Sequence, residues 1–279
     1  MIPLEDLYTD IIGKAQRGLG LTDAALRAET RLSADQLAKV KAGEPDEIAL
    51  RAIARALHLG PEALLASARN AWRPAPVHCP GLAQFNTPYE DMAVNAYLVW
   101  DETQREAVAF DTGADVGPML TFAQQHELHL KHLLVTHNHD DHVADLARLV
   151  RVTGASVHVG RREPHLAGAT PFDAGHIFRI GALEIETLLT WGHARGGITY
   201  VVHGLVRPVA VVGDAVFAGS MGGGAVSYAD ALRTNREEIL TLPAETILCP
   251  GHGPLTTVGE ERQHNPFFTG ESAAPGMAR

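Results

Sequence analysis

The sequence predicts a mixed α/β protein, in which a small all-helical domain over residues 1–72 precedes a larger domain over 73–279 whose sheets are covered by helices. Three observations predict it. Up to Trp72 the chain is rich in Ala and Leu at helical period, and its prolines, Pro3, Pro45 and Pro61, sit where helices start or have not begun. Pro74, Pro76, Pro80 and Pro88 then break the pattern. From Val77 onward, short apolar or alternating runs separated by turns are interleaved with helical stretches. A chain of 279 residues with 46% hydrophobic content can bury cores for both parts.

In the first domain, Leu4, Leu7, Ile11 and Ile12 line one face of a helix, and Leu21-Thr22 precede a second helix through Glu29. Ser33 with Gln36 three residues on forms a capping box for a third, which stops at Gly43. Pro45-Asp46-Glu47 open a fourth with Ile48, Ile53, Ala56 and Leu57 on its buried side, ended by Gly60-Pro61, and a fifth runs from Glu62 to Ala71. Gly20-Leu21-Thr22, Leu32-Ser33, Lys41-Ala42-Gly43 and Leu57-His58-Leu59-Gly60 stand around these helices as in the lambda-repressor/Cro-like helix-turn-helix family, which the segment resembles. The resemblance implies DNA binding by residues 1–72 and pairing into a homodimer. Asp23 and Asp35, however, stand where that family clamps phosphate from helix two and reads DNA from helix three, and an anion pointed at phosphate opposes binding. A helical appendage used for dimerisation or for covering the catalytic domain is the competing expectation.

In the second domain, 95–100 and 107–110 read as strands, 117–127 as a helix, and 130–136 as a strand leading into a loop made mostly of metal-ligand side chains. A helix over 143–152 follows, then strands at 156–159, 177–180, 183–189, 198–202 and 209–212, a helix over 228–240 and a strand at 246–249. Gly222-Gly223-Gly224 lacks the Lys-Ser/Thr of a phosphate loop and reads as a flexible rim.

Composition narrows the class. A net charge of -10, about nine units of it outside 1–72, repels phosphate backbones, so nucleic-acid binding by the whole chain is not expected. No basic segment followed by an apolar run opens the chain, and the most apolar stretch, 201–220, is broken by His203, Arg207 and Asp214. Two cysteines, Cys79 and Cys249, are too few for a disulfide framework or a four-thiolate zinc site. A cytoplasmic protein with a small-molecule substrate and no membrane partner is expected. Cys249 reads as a buried strand-end residue, and His126, His129 and His132 as a solvated helix end.

The chemistry sits in His137-Asn138-His139-Asp140-Asp141-His142. Three imidazoles and the Asp141 carboxylate within six residues suit zinc, iron or manganese, and in a tight loop they can face two nearby points. Asp140 either supports the loop or faces water. Joined to His193 in Gly192-His193, Asp214 in Gly213-Asp214 and His252 in Pro250-Gly251-His252-Gly253, this pattern resembles the metallo-beta-lactamase superfamily over about 85–265. The resemblance implies an αββα sandwich carrying two divalent ions, zinc before iron or manganese. By the same resemblance His137, His139 and His193 hold the first ion, Asp141, His142 and His252 the second, and Asp214 bridges both. Asp111, in Phe110-Asp111-Thr112-Gly113, matches a family Asp that orients a ligand imidazole.

Within the superfamily, the stretches from Gly213 to Ser220 and from Pro250 to Glu261, with Asn265-Pro266-Phe267, resemble the compact glyoxalase II (hydroxyacylglutathione hydrolase) group. That implies a metal-bridged hydroxide, with Asp141 and Asp214 as the catalytic carboxylates, attacking a thioester whose thiolate leaves without a strong acid. Met221-Gly222-Gly223-Gly224 supplies no arginine where the group carries one, and His193-Ala194-Arg195 departs from its usual His-Thr-Pro, so metal chemistry is better supported than glutathione recognition. Three alternatives stay open: a persulfide dioxygenase-like enzyme with one iron on His137, His193 and Asp214, a lactone hydrolase, and a metabolite-sensing DNA-binding regulator.

Overall fold

The computed structural model describes residues 2–270. Five helices come first: α1 (Tyr8–Gly18), α2 (Asp23–Thr30), α3 (Ala34–Lys41), α4 (Glu47–Ala56) and α5 (Pro61–Ala68). Their starts follow capping chemistry. The Thr22 hydroxyl and the Asp46 carboxylate accept from Ala25 N and Ala49 N, and Ser33 with Gln36 closes the expected capping box at 3.1 and 2.9 Å. Two expectations about buried faces are corrected. Leu4 precedes α1 and Leu7 is its exposed N-cap, so the inner face is Tyr8, Ile11, Ile12 and Ala15. Ile48 is 81% exposed, because the inward stripe of α4 runs through Ala49, Leu50, Ile53 and Ala54 to Leu57, one step out of phase with it. Lys41 pairs with Asp23 and Lys39 with Asp35, so the two cations in the last turn of α3 already face carboxylates.

The remainder is two six-stranded sheets face to face. The first contains β1 (Leu82–Tyr89), β2 (Met92–Trp100), β3 (Glu106–Phe110), β4 (His129–Val135), β5 (Ser156–Gly160) and β6 (Ala169–Phe172) in that spatial order. β1 to β3 are antiparallel and β3 to β6 parallel. Two of its connections carry helices, α6 (Gly117–Gln125) between β3 and β4, and α7 (Asp140–Val143) with α8 (Leu146–Thr153) between β4 and β5. The second sheet runs β7 (Ile177–Ile180), β8 (Leu183–Leu189), β9 (Ile198–His203), β10 (Val209–Gly213), β11 (Ile247–Pro250) and β12 (Thr256–Thr257), antiparallel except for the parallel pair β10 and β11. α9 (Tyr228–Thr234), continued by a π-helical turn over 235–239, makes the β10–β11 crossover, and α10 (Val258–His264) and α11 (Pro266–Thr269) close the described chain.

Three cores hold these layers. Tyr97, Phe110 and Leu134 meet Ile185, Tyr200 and Val211 between the sheets. Leu98, Ala109 and Leu133 lie under Met119 and Leu149 on one outer face, and Val201, Val212 and Leu248 under Ile239 and Val258 on the other. The architecture is therefore the expected αββα sandwich. Each fully buried Leu, Ile or Phe contributes about 1.5–3 kcal/mol. β1 and β6, which carry Pro88 and Pro171, were not among the expected strands. Both lie at the sheet edges, where a missing N–H is tolerated. A fourth core joins the helices to the sandwich: Tyr8, Ile11, Ile53 and Leu64 share one cluster with Met221, Tyr228, Ala231 and Phe267.

Candidate metal centre

Strand ends position the site. β4 delivers Thr136 and His137, α7 begins immediately after His139 and carries Asp141 and His142, His193 follows β8, and Asp214 and His252 follow β10 and β11. All seven side chains named from the sequence meet at this edge of the sandwich. Donor atoms of His137, His139 and His193 lie within 4.8 Å of one another, and so do those of Asp141, His142 and His252. Asp214 stands between the groups, its Oδ2 at 3.4 Å from His193 Nε2, 3.5 Å from His252 Nε2 and 4.0 Å from His137 Nε2, and its Oδ1 at 3.3 Å from His142 Nε2.

Four imidazoles are held by the nitrogen turned away from this centre. His142 Nδ1 is 2.8 Å from Asp111 Oδ2, His252 Nδ1 2.8 Å from the Ala93 carbonyl, His193 Nδ1 3.0 Å from the Gly223 carbonyl, and His137 Nδ1 3.1 Å from Thr136 Oγ1. Such outer contacts fix ring orientation and leave the inner nitrogen free for a cation. Asp111 lies against the outer nitrogen of His142. With a φ of 56°, its carboxylate also accepts from Thr136 N and Thr136 Oγ1, both at 2.7 Å. Asp140 is exposed.

The electrostatics match the donor set. Burial alone would lower the His142 and His252 imidazoles, yet Asp111 and Asp214 push His142 up to about 10, and Asp214 with Asp141 push His252 up to about 11. Burial would raise Asp214, but His252 and His142 outweigh it and hold the carboxyl well below its usual range. Burial with neighbouring positive charge drives His137 down, and burial lowers His193 despite Asp214. The pocket thus favours positive charge between its carboxylates. His142 Nε2 and Asp214 Oδ1 are buried without a hydrogen-bond partner among the described residues. Unsatisfied buried atoms of this kind are rare, and a divalent cation would satisfy both.

Several supporting residues escaped the sequence reading. Glu163 accepts from Asn138 N at 3.1 Å and Gly196 N at 2.5 Å, tying the loop of His137 and His139 to that of His193. In the run Arg161-Arg162-Glu163-Pro164 it looks like an ordinary surface charge. Buried Glu261 accepts from Gly219 N, Thr256 Oγ1 and Asn265 Nδ2, fastening the segment after Asp214. The expectation of a flexible rim at Gly222-Gly223-Gly224 is corrected. A Cβ on Gly222 would lie 2.0 Å from the Asp214 carbonyl oxygen and 2.8 Å from His193 Nδ1, and one on Gly224 would strike Tyr228, so only Gly223 has open space. Cys249 is buried in β11, as expected.

The chain belongs to the metallo-beta-lactamase superfamily, whose family model matches residues 89–252. The hydroxyacylglutathione hydrolase GloC of Haemophilus influenzae is 28% identical over 202 residues, covering 64% of this chain and 94% of that protein. Among solved structures, BLEG-1, a B3 metallo-beta-lactamase, matches with a TM-score of 0.55 at 28% identity, covering 67% of this chain and all of that one. ETHE1 from Myxococcus xanthus matches with a TM-score of 0.60 at 27% identity, covering 68% of this chain and 86% of that one. Among the described residues no helix is long and apolar enough to cross a membrane.

Proposed function

We propose that this chain is a metal-dependent hydrolase with two ions, zinc foremost, acting on a thioester of the hydroxyacylglutathione type. The observation that carries it is the Asp214 carboxylate, placed within 4.0 Å of imidazoles from both donor triads. His137, His139 and His193 would hold one ion, Asp141, His142 and His252 the other, and Asp214 both. Bound there, the ions would supply an acidified water and a Lewis-acid pull on a carbonyl oxygen.

This chain's own residues would do the rest. Asp214 sets the spacing of the two halves through its two oxygens. Asp141 is held below the usual carboxylate range by His252 and His142 despite its burial, and its Oδ2 lies 3.3 Å from His252 Nε2. It is thereby kept ionised and can accept a hydrogen bond from water on the second side of the site. Asp111 and the Ala93 and Gly223 carbonyls hold three rings in register, so reorganisation is small when charge develops. A thiolate leaving group needs no strong general acid, which suits a thioester substrate. GloC, a hydroxyacylglutathione hydrolase, supports this substrate class.

The second reading is a persulfide dioxygenase-like enzyme with one iron on His137, His193 and Asp214, since Asp214 Oδ2 lies 3.4 Å from His193 Nε2 and 4.0 Å from His137 Nε2 and could serve a single ion with them. Metal stoichiometry on protein purified without added metal separates the two. About two zinc or manganese ions per chain, with hydrolysis of lactoylglutathione, is the expected outcome. One iron per chain with oxygen consumption on glutathione persulfide would replace it.

A further inference from the structure

The α1 face reaches the metal centre through a partly buried ion pair. Lys14 Nζ bonds Asp6, and the two side chains are 15% and 8% exposed. Both partners continue into the segment after Asp214. Lys14 Nζ donates to the Met221 carbonyl at 2.9 Å and lies 4.9 Å from the Phe217 ring centroid, and Ser220 Oγ donates to Asp6 Oδ2 at 2.5 Å.

What this pair grips is the inner wall of the centre. The Phe217 ring stands edge-on to the His252 imidazole at 5.6 Å. Gly222 N donates to the Asp214 carbonyl at 3.1 Å, and the next carbonyl, that of Gly223, holds His193 Nδ1. On the far side of His252, a Cβ on Gly253 would come within 3.3 Å of Glu5 N and 3.6 Å of the Pro3 carbonyl, so the strand of chain before α1 backs that ligand loop as well. Three ligands, His193, Asp214 and His252, therefore rest on a segment pinned by residues from the first 14 of the chain.

We infer that Lys14, locked by Asp6, is a positioning residue of the metal centre, through which the helical segment sets the seat of His193, Asp214 and His252. An exposed ion pair would be worth little. This one is largely shielded from solvent and its ammonium serves a carbonyl, a carboxylate and an aromatic face together, so its removal releases the segment rather than merely a surface charge. The inference rests on the ligand assignment proposed above, and only its metal-holding part.

The test uses the full-length chain with metal alone as probe, so that it does not depend on the substrate. Lys14→Met keeps the stem and removes the ammonium. Expected are about a 10- to 100-fold weaker hold on the more weakly bound ion in chelator competition, a comparable fall in kcat with little change in KM, and partial recovery of both in Lys14→Arg. Asp6→Asn/Lys14→Met, which leaves no unpaired charge buried, is expected to regain thermal stability relative to Lys14→Met but not metal affinity. Leu26→Ala, in the α2 core, serves as a control for general weakening of the helices. Unchanged metal affinity in Lys14→Met, or an equal loss in Leu26→Ala, would overturn the inference. A wild-type chain that binds a single ion would refute the two-ion reading while leaving this comparison valid for that ion, since His193 and Asp214 serve it in both readings.

Discussion

Asp214 carries opposite demands, since burial opposes its charge while the imidazoles around it require that charge. Asp214→Ala is expected to abolish turnover and to lower the metal content of the purified protein, measured by plasma mass spectrometry. Retention of both would remove it from the centre. Asp111 acts one step out, because it touches His142 through Nδ1, while Nε2 faces Asp214. Asp111→Ala is expected to cost about 10- to 100-fold in kcat/KM or metal affinity, and the two should fall together. Glu261 gives a pH dependence of stability. Burial, only partly offset by hydrogen bonds from Thr256, Asn265 and Gly219, raises it to about 7 from 4.5. The folded chain then holds a proton that the unfolded chain gives up, so this contribution is full below about pH 4.5 and is lost as pH rises through about 7. The effect is on the order of 3 kcal/mol. Denaturation of the metal-loaded protein between pH 5 and 8 should show a flatter slope for Glu261→Gln than for the wild type, and equal slopes would refute the assignment. The seven ligand candidates were legible because each follows an apolar run or crowds the 137–142 loop. Lys14, Glu163 and Glu261 were not, because the contacts that tie them to the site run to backbone groups 33 to 207 residues away, on Met221, Gly196 and Gly219.

Among the elements, the segment joining β10 to α9 is the most constrained. Gly222 and Gly223 are adjacent and chemically identical, yet an added methyl meets Asp214 and His193 at the first and open space at the second. Gly222→Ala is accordingly expected to lose metal and activity while Gly223→Ala keeps both, a comparison in which the chemical change is the same. Equal behaviour of the two would mean that the segment yields easily. Most central strands could be read from the sequence because they are continuous apolar runs buried on both faces, as in β10. β1 could not, since Gln84, Asn86 and Pro88 disguise an edge strand held only by β2. The π-helical turn after α9 likewise leaves no signal in the 3.6-residue period that reads as one helix over 228–240.

For the whole molecule, the change of pattern near residue 73 is visible in the prolines, but the packing across it is not. Met221, Tyr228 and Phe267 are buried in the cluster that also holds α1, α4 and α5. Removing 1–72 would expose them at about 1.5–3 kcal/mol each, a large share of the roughly 5–15 kcal/mol that holds a typical protein folded. A chain of 73–279 is therefore expected to show a lower denaturation midpoint and poor soluble yield against the full chain. A soluble truncation with full metal content and turnover would make the helices a detachable appendage. The same shared cluster also governs how the chain can be made. During synthesis the helices emerge first, but the side chains that complete their core emerge about 150 residues or more after α5, together with Asp214 and His252. The helical segment must wait on the ribosome with an unfinished apolar face, and that face and the last two ligand loops are completed in the same late event.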